Sequence, residues 1–162
     1  MNVTMHSTIN HSIERLANSR LASFATLRPC SEAELVSLET SLGIELPKAY
    51  RSFLKLCGAG AGEFLCGTKW EFKELAQLQK AASEMMVNAS VDVSWKESFL
   101  AFAIHQGYQM LYFDCNNGGD PKVMLFVSDD GPPREVAATF SEWLSGCVDD
   151  EIASYVELPR HN

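Results

Sequence analysis

The stretch EAELVSLETSLGIELPKAYRSFLKLCG, residues 32–58, decides how the chain begins to fold. Ser31 precedes it and Glu34 follows three residues later, the spacing of a capping box. In such a box the Ser31 hydroxyl accepts from the Glu34 amide, and the Glu34 carboxylate accepts from the Ser31 amide. Leu35, Leu38 and Leu42 then recur on one helical face. Gly43 suits the left-handed turn that ends a helix. Pro47 restarts a helix in its first turn, where a missing N–H costs nothing. Tyr50, Phe53, Leu54 and Cys57 form the apolar stripe of that second helix. Gly58 is expected to end it with the positive φ of a glycine cap.

The glycine run that follows, GAGAG, invites a phosphate-binding reading. Gly58, Gly60 and Gly62 stand after a helix, however, whereas the dinucleotide fingerprint stands between a strand and a helix. The run is therefore read as a helix stop and a flexible turn.

Upstream, Ile13, Leu16, Ala17, Leu21 and Phe24 predict a first helix over residues 9–24. Downstream, residues 63–67 suit a short strand. Thr68 with Glu71 has the spacing of a second capping box, and Leu75, Leu78 and Ala82 continue a helix over residues 70–88. Then the texture changes. FLAFAIH, YQMLYFD and KVMLFVS are rich in aromatic and branched residues and read as strands of an antiparallel meander over residues 99–128. Gln106-Gly107 makes the first hairpin and Cys115 to Pro121 the second. Along the meander Leu111 and Phe113 face one side, beside Val123, Leu125 and Val127. Thr139 with Glu142 suggests a third capping box, for a helix carrying Phe140, Trp143, Leu144 and Cys147 that ends near residues 146–148. A separate short acidic helix over residues 150–157 closes the chain. Helices, then a meander, then helices predict an α+β fold in one domain, residues 1–162, with helices packed around a central antiparallel sheet.

Composition narrows the function. The chain has 162 residues, 46% hydrophobic and 21% charged, as a soluble globular domain does. No apolar run reaches the roughly 20 residues of a membrane helix. The start, MNVTMHSTINHS, lacks the basic and apolar regions of a secretory signal. Cys30, Cys57, Cys66, Cys115 and Cys147 are odd in number and contain no CxxC pair, so free thiols in a reducing cytoplasm are expected. A formal net charge of −8 disfavours nucleic acid and suits a basic protein partner or simple solubility.

Catalytic patterns are missing. There is no G-x-S-x-G, HExxH or Walker motif. His6, His11, His105 and His161 show no metal spacing and no evident carboxylate partner. Asp114-Cys115-Asn116-Asn117-Gly118-Gly119 resembles a calcium loop at its first two ligand positions only, because Gly118 and Leu125 stand where oxygen ligands belong. A hairpin turn using Asn and Gly for positive φ is the better reading. No catalytic residue, metal site or cofactor is expected. What remains is a docking face. Asp114, Asp120, Asp129, Asp130 and Glu135 gather in and just after the meander turns, and Trp95, after a polar loop, is the candidate apolar anchor.

The order of motifs resembles the SUKH superfamily of Smi/Knr-type immunity and regulator domains. The residues that carry the resemblance are Leu35, Leu38, Glu39, Leu42, Gly43, Leu46, Pro47, Tyr50, Phe53, Leu54 and Gly58. Phe102-Ala103-Ile104 with Gly107 and Leu111-Tyr112-Phe113-Asp114 resembles the family's central hairpin, and VAATFSEWL, residues 136–144, resembles its closing helix. The signature region spans about residues 31–147. The resemblance implies a non-enzymatic cytoplasmic protein that neutralises a cognate toxin, such as a basic nuclease, by protein contact. It implies neither a nucleic-acid nor a membrane partner, and a monomer or weak homodimer. A regulatory module binding an endogenous partner is the alternative. The signature residues are mostly apolar, Gly and Pro, so they specify a fold and name no partner.

Overall fold

The computed structural model describes residues 2–157. His161 lies outside them. Ser31 and Glu34 make the expected capping box in full, and they start helix α2, Glu32–Leu42. Gly43 ends it at φ 65, in the left-handed region that glycine enters without strain. Pro47 then precedes helix α3, Lys48–Cys57. Its stripe of Tyr50, Phe53, Leu54 and Cys57 is buried.

Gly58 departs from expectation. It ends α3 at φ −61, which any residue adopts. Glycine is required there for close packing instead. A Cβ would lie 2.7 Å from the Leu54 Cα and 2.8 Å from the Cys30 Sγ. The rest of the glycine run is not a turn alone. Gly60–Ala61 forms a short strand, β2, antiparallel to β1, Leu27–Arg28.

Helix α1 runs Asn2–Ala17, so it starts earlier and stops sooner than residues 9–24. Ser19 ends it locally: its N–H and hydroxyl both donate to the Leu16 carbonyl. Residues 63–67 are turns rather than a strand, and strand β3 is Thr68–Lys69. The Thr68–Glu71 capping box does not form. Thr68 is drawn into β3, where its hydroxyl hydrogen-bonds the His105 ring at 2.9 Å. Glu71 is the cap residue of helix α4, Phe72–Asn88, and makes no side-chain cap bond.

The meander forms as expected: β4, Phe99–His105, β5, Gln109–Asp114, and β6, Val123–Val127. A further strand, β7, Arg134–Ala137, extends it, giving one antiparallel sheet in the order β3-β4-β5-β6-β7. Leu111 pairs with Leu125, so these two share a face as expected. Two bulges interrupt the ladders. Phe102 is the extra residue of β4, between Ala101 opposite Tyr112 and Ala103 opposite Leu111. Val136 is the extra residue of β7, between Glu135 opposite Met124 and Ala137 opposite Val123.

Helix α5, Phe140–Glu157, is one continuous helix, not two. Its start is capped by two residues. Thr139 Oγ1 accepts from the Glu142 amide, while Asp120, from the β5–β6 turn, accepts from the Ser141 amide at 2.9 Å and the Ser141 hydroxyl at 2.6 Å. Asp120 thus satisfies the Ser141 amide, a helix-start donor that a local box of Thr139 and Glu142 does not reach.

The architecture is α+β. Helix α4 packs on β4, while α3 and α5 meet each other and α1 packs against both. The core centres on Tyr50, whose ring lies 5.2 to 6.0 Å from those of Phe53, Phe102, Phe113 and Phe140. Edge and tilted contacts of this kind add to the area they bury. Among the described residues, the Tyr50 hydroxyl is the buried side-chain polar atom without a hydrogen-bond partner.

Candidate functional site

Helix α5 buries Phe140, Leu144 and Val148. A helix repeats every 3.6 residues, so Glu142, Trp143, Gly146, Cys147, Asp150 and Glu151 share a neighbouring face. These six residues line one side of a groove of about 650 Å³. Ala103, His105, Leu111 and Leu125 of the sheet line the other, with Val136 and Ala137 at the β7 edge. Leu65, Cys66 and Thr68 close one end. The volume is in the range of ordinary ligand pockets.

Both bulges adjoin this groove. A bulge lets one strand present two successive side chains where its partner presents one, and bulges are often found beside functional sites. In β4 the residue after the bulge, Ala103, faces the groove, and in β7 both Val136 and Ala137 do. The small Ala103 and Ala137 keep it deep, and Leu111, Leu125 and Trp143 leave apolar surface half-exposed in it.

Gly146 sits at the middle of the helical wall. Nothing lies within 4 Å of the position its Cβ would occupy, and its φ is not positive. Glycine inside a helix costs about 0.5–1 kcal/mol relative to alanine. Neither backbone conformation nor crowding demands it here. Its effect is to leave the groove open between Glu142 and Asp150.

The charge of the groove is negative. Glu142 and Asp150 are exposed, and Glu151 accepts a hydrogen bond from the Leu65 amide at 3.3 Å. Among the described residues none of these three carboxylates has a Lys or Arg ion-pair partner. Their neighbour Asp149 points elsewhere and pairs with Arg15 at 3.1 Å. Burial, reinforced by Glu151 and Asp150, pushes the Cys147 thiol up to about 12, so it stays protonated at neutral pH.

The six residues singled out in the sequence lie elsewhere and do not form one face. Asp114 and Asp120 lie at the end of the sheet where β5 turns into β6, and Asp129 and Asp130 lie where β6 turns into β7. A strand of five or six residues, about 17–20 Å, separates the two ends. Asp114 accepts from the Asn116 amide, Asp120 caps α5, Asp130 pairs with Arg134 at 3.1 Å, and Glu135 lies 3.6 Å from Lys122. Asp129 is exposed, at φ 66. Trp95 is half-buried and packs at 5.5 Å on Phe99 and 5.7 Å on Tyr112. Phe99, on which Trp95 packs, pairs with Asp114 across β4 and β5, and Phe99 and Asp114 line a smaller hollow of about 360 Å³ that also holds Lys96 and Lys122.

The groove acids were visible in the sequence as part of a C-terminal acidic segment. The spacing of positions 142, 146, 150 and 151 could have placed them on one helical face. Ending one helix near residues 146–148 and starting another at 150 hid it. The apolar side of the groove depends on two bulges, which carry no local sequence signal.

A family model described as SMI1/KNR4 (SUKH-1) matches residues 29–146, well over half of the chain. The chain belongs to the SUKH-1 family. The SUKH-1 match takes in the whole bulged sheet and α5 as far as Gly146. Helix α1 and the rest of α5 lie outside the match; α1 packs against α5, and Arg15 pairs with Asp149 outside the match and with the Ser145 hydroxyl, at 3.0 Å, inside it. SUKH-1 membership fits immunity and regulator roles carried out through protein partners. A search of curated proteins finds no match. Among the described residues no helix is long and apolar enough to cross a membrane.

Proposed function

We propose that this SUKH-1 chain is a bacterial immunity protein that binds one basic cognate toxin domain in the cytoplasm and blocks it by protein contact. It acts without catalysis or cofactor, as a monomer or weak homodimer. The observation that carries the reading is the groove between α5 and the sheet. It combines half-exposed Leu111, Leu125 and Trp143 with three carboxylates that have no cation partner among the described residues. Apolar surface supplies affinity when it is covered, and an uncompensated negative field steers a basic partner toward it. A nuclease domain, basic because its own substrate is anionic, fits that field.

The test is co-expression with the product of the adjacent reading frame, followed by association kinetics of the purified pair at two salt concentrations. Raising salt from 0.1 M to 1 M shortens the Debye length from ~10 Å to ~3 Å, so association should slow far more than dissociation speeds. Glu142→Gln with Asp150→Asn should slow it further, and Asp129→Asn with Asp130→Asn serves as the comparison at the far turn. Capture of an endogenous protein in place of a toxin would assign the chain to the regulator class. An association rate indifferent to salt and to both double variants would end the steering account.

A further inference from the structure

We infer that the groove between α5 and the sheet takes an arginine side chain from a partner protein, seated over Gly146 and against Trp143. The inference deepens the proposed function and rests on it, because it names the contact by which a basic partner would be held.

The groove selects for this occupant by shape and charge. Its inner surface at Leu111, Leu125 and Trp143 is apolar, so whatever enters must have an apolar stem. Its helical wall carries Glu142 on one side of Gly146 and Asp150 on the other, two helical turns apart, so the occupant must end in a cation. A long basic side chain has both parts, burying its methylene stem while its charged head reaches polar groups. Arginine fits better than lysine. Its planar guanidinium stacks on an indole face and donates in a fork to carboxylates, whereas an ammonium is a more strongly hydrated point charge.

Gly146 supplies the independent observation. A residue larger than glycine at 146 would project into the space between the two acids. The chain therefore keeps a helix-weakening residue at the one place on this wall where a side chain would obstruct the occupant. Natural proteins depart from local structural preference most often at functional sites. Trp143 is held ready to receive it: its ring packs at 4.9 Å edge-on to Phe102, the bulged residue of β4, and at 5.7 Å to Phe140. A preset aromatic wall lowers the ordering cost of binding.

The probe is the blocked pentapeptide acetyl-Ala-Leu-Arg-Leu-Ala-amide, titrated into the isotopically labelled full chain and followed by amide and indole NMR. The Trp143 indole and the Gly146 amide should shift, and the Trp95 indole should not. Replacing Arg in the peptide by norleucine should weaken binding about tenfold or more, the scale of a lost charge-assisted contact, and replacing it by Lys should weaken it less. Gly146→Leu should remove peptide binding while raising the melting temperature, and Gly146→Ala should raise the melting temperature and keep measurable binding. Shifts centred on Trp95, no shifts, or equal binding of the norleucine peptide would overturn the inference. So would a wild-type dimer that Gly146→Leu dissociates, which would give the groove to a second copy of this chain. The proposed function is judged separately. A cognate toxin bound equally by wild type and Gly146→Leu would remove the groove contact and leave the immunity reading standing, whereas wild type that binds the peptide but no toxin would do the reverse.

Discussion

Gln79 makes a two-point clamp on Ala101: its side-chain amide donates to the Ala101 carbonyl at 2.7 Å, and its side-chain oxygen accepts from the Ala101 amide at 2.9 Å. Strand β3 pairs only with Ile104 and His105, so it stops short of this part of the β4 edge. Ala101 is fully buried. Its edge-facing backbone groups need partners, and the Gln79 carboxamide, which has the donor and acceptor of a peptide unit, takes the place of the missing strand. Gln79→Ala should therefore destabilise the domain by about 2 kcal/mol or more, since a buried group left unpaired costs roughly 1–3 kcal/mol. Urea unfolding at neutral pH checks it. Gln79→Glu should be destabilising too, but less so as pH falls and the protonated acid regains a donor.

Gly58 gives a second expectation. Its φ of −61 suits alanine, yet a Cβ would press on the Leu54 Cα and the Cys30 Sγ. Gly58→Ala should cost about 1–3 kcal/mol, the range for overpacking a filled interior. At Gly43, where a Cβ meets open space but φ is 65, the same substitution acts through backbone strain and should cost about 1 kcal/mol. Combining Gly58→Ala with Cys30→Ala should recover part of the loss at 58 and none at 43. Thermal unfolding of wild type, the three single variants and the two double variants with Cys30→Ala separates crowding from strain.

Stability should respond to acid through Glu32. Its carboxylate lies 2.7 Å from Arg51 and 2.8 Å from Lys55, joining the start of α2 to α3. Hydrogen bonds from Arg51, then Lys55, lower it to about 2. A depressed acid contributes stability above its unfolded value and loses it as pH falls toward the folded value. The contribution should thus be complete above pH ~5 and fade down to pH ~2. Glu32→Gln should be less stable at pH 7 and show a flatter acid limb in unfolding experiments between those limits.

The thiols should divide sharply. All five cysteines are free, and Cys66 is exposed. Burial raises Cys30, Cys115 and Cys147 to about 12, and raises Cys57 as well. The reactive form is the thiolate, so these four should resist a thiol-specific reagent in the folded protein. Titration at pH 8 should show a single fast thiol that Cys66→Ser removes, with the others reacting only on unfolding. Fast labelling of Cys147 would mean that the groove exposes this thiol more than its partial burial implies.

Much of the fold was legible because local rules act over a few residues. Ser31 and Glu34 close their box whatever the rest of the chain does, and Gly43 turns left-handed as helix-ending glycines do. Gln106 and Gly107, at φ 49 and 76, join β4 to β5 in the tight turn their identities suggest. The strand texture of residues 99–128 needed only alternation and aromatic content. Two-residue strands such as β1, β2 and β3 carry no periodicity, and the exposed β7 bears no apolar alternation, so these emerged only in three dimensions.

By itself, then, the sequence determined the Ser31–Glu34 cap, the left-handed turn at Gly43, the α2 and α3 stripes, the meander and the family, since each depends on residues close together or on an order of motifs. The tertiary structure decided which local option won where two competed. Thr68 had the spacing to cap a helix, but His105, 37 residues away, drew its hydroxyl into the sheet. Glu142 had the spacing to close a box, but it lines the groove, and Asp120, 21 residues before Ser141, caps the Ser141 amide at the same helix start. Gly146 looked like a helix end, yet Leu144 and Val148 are buried on either side of it, and burying two such side chains outweighs the ~1 kcal/mol that a helical glycine costs. Local preferences are worth about a kilocalorie each, while packing partners brought from distant parts of the chain contribute several. The continuous α5, and with it the alignment of Glu142, Gly146 and Asp150 on one wall, exists only where those distant partners meet.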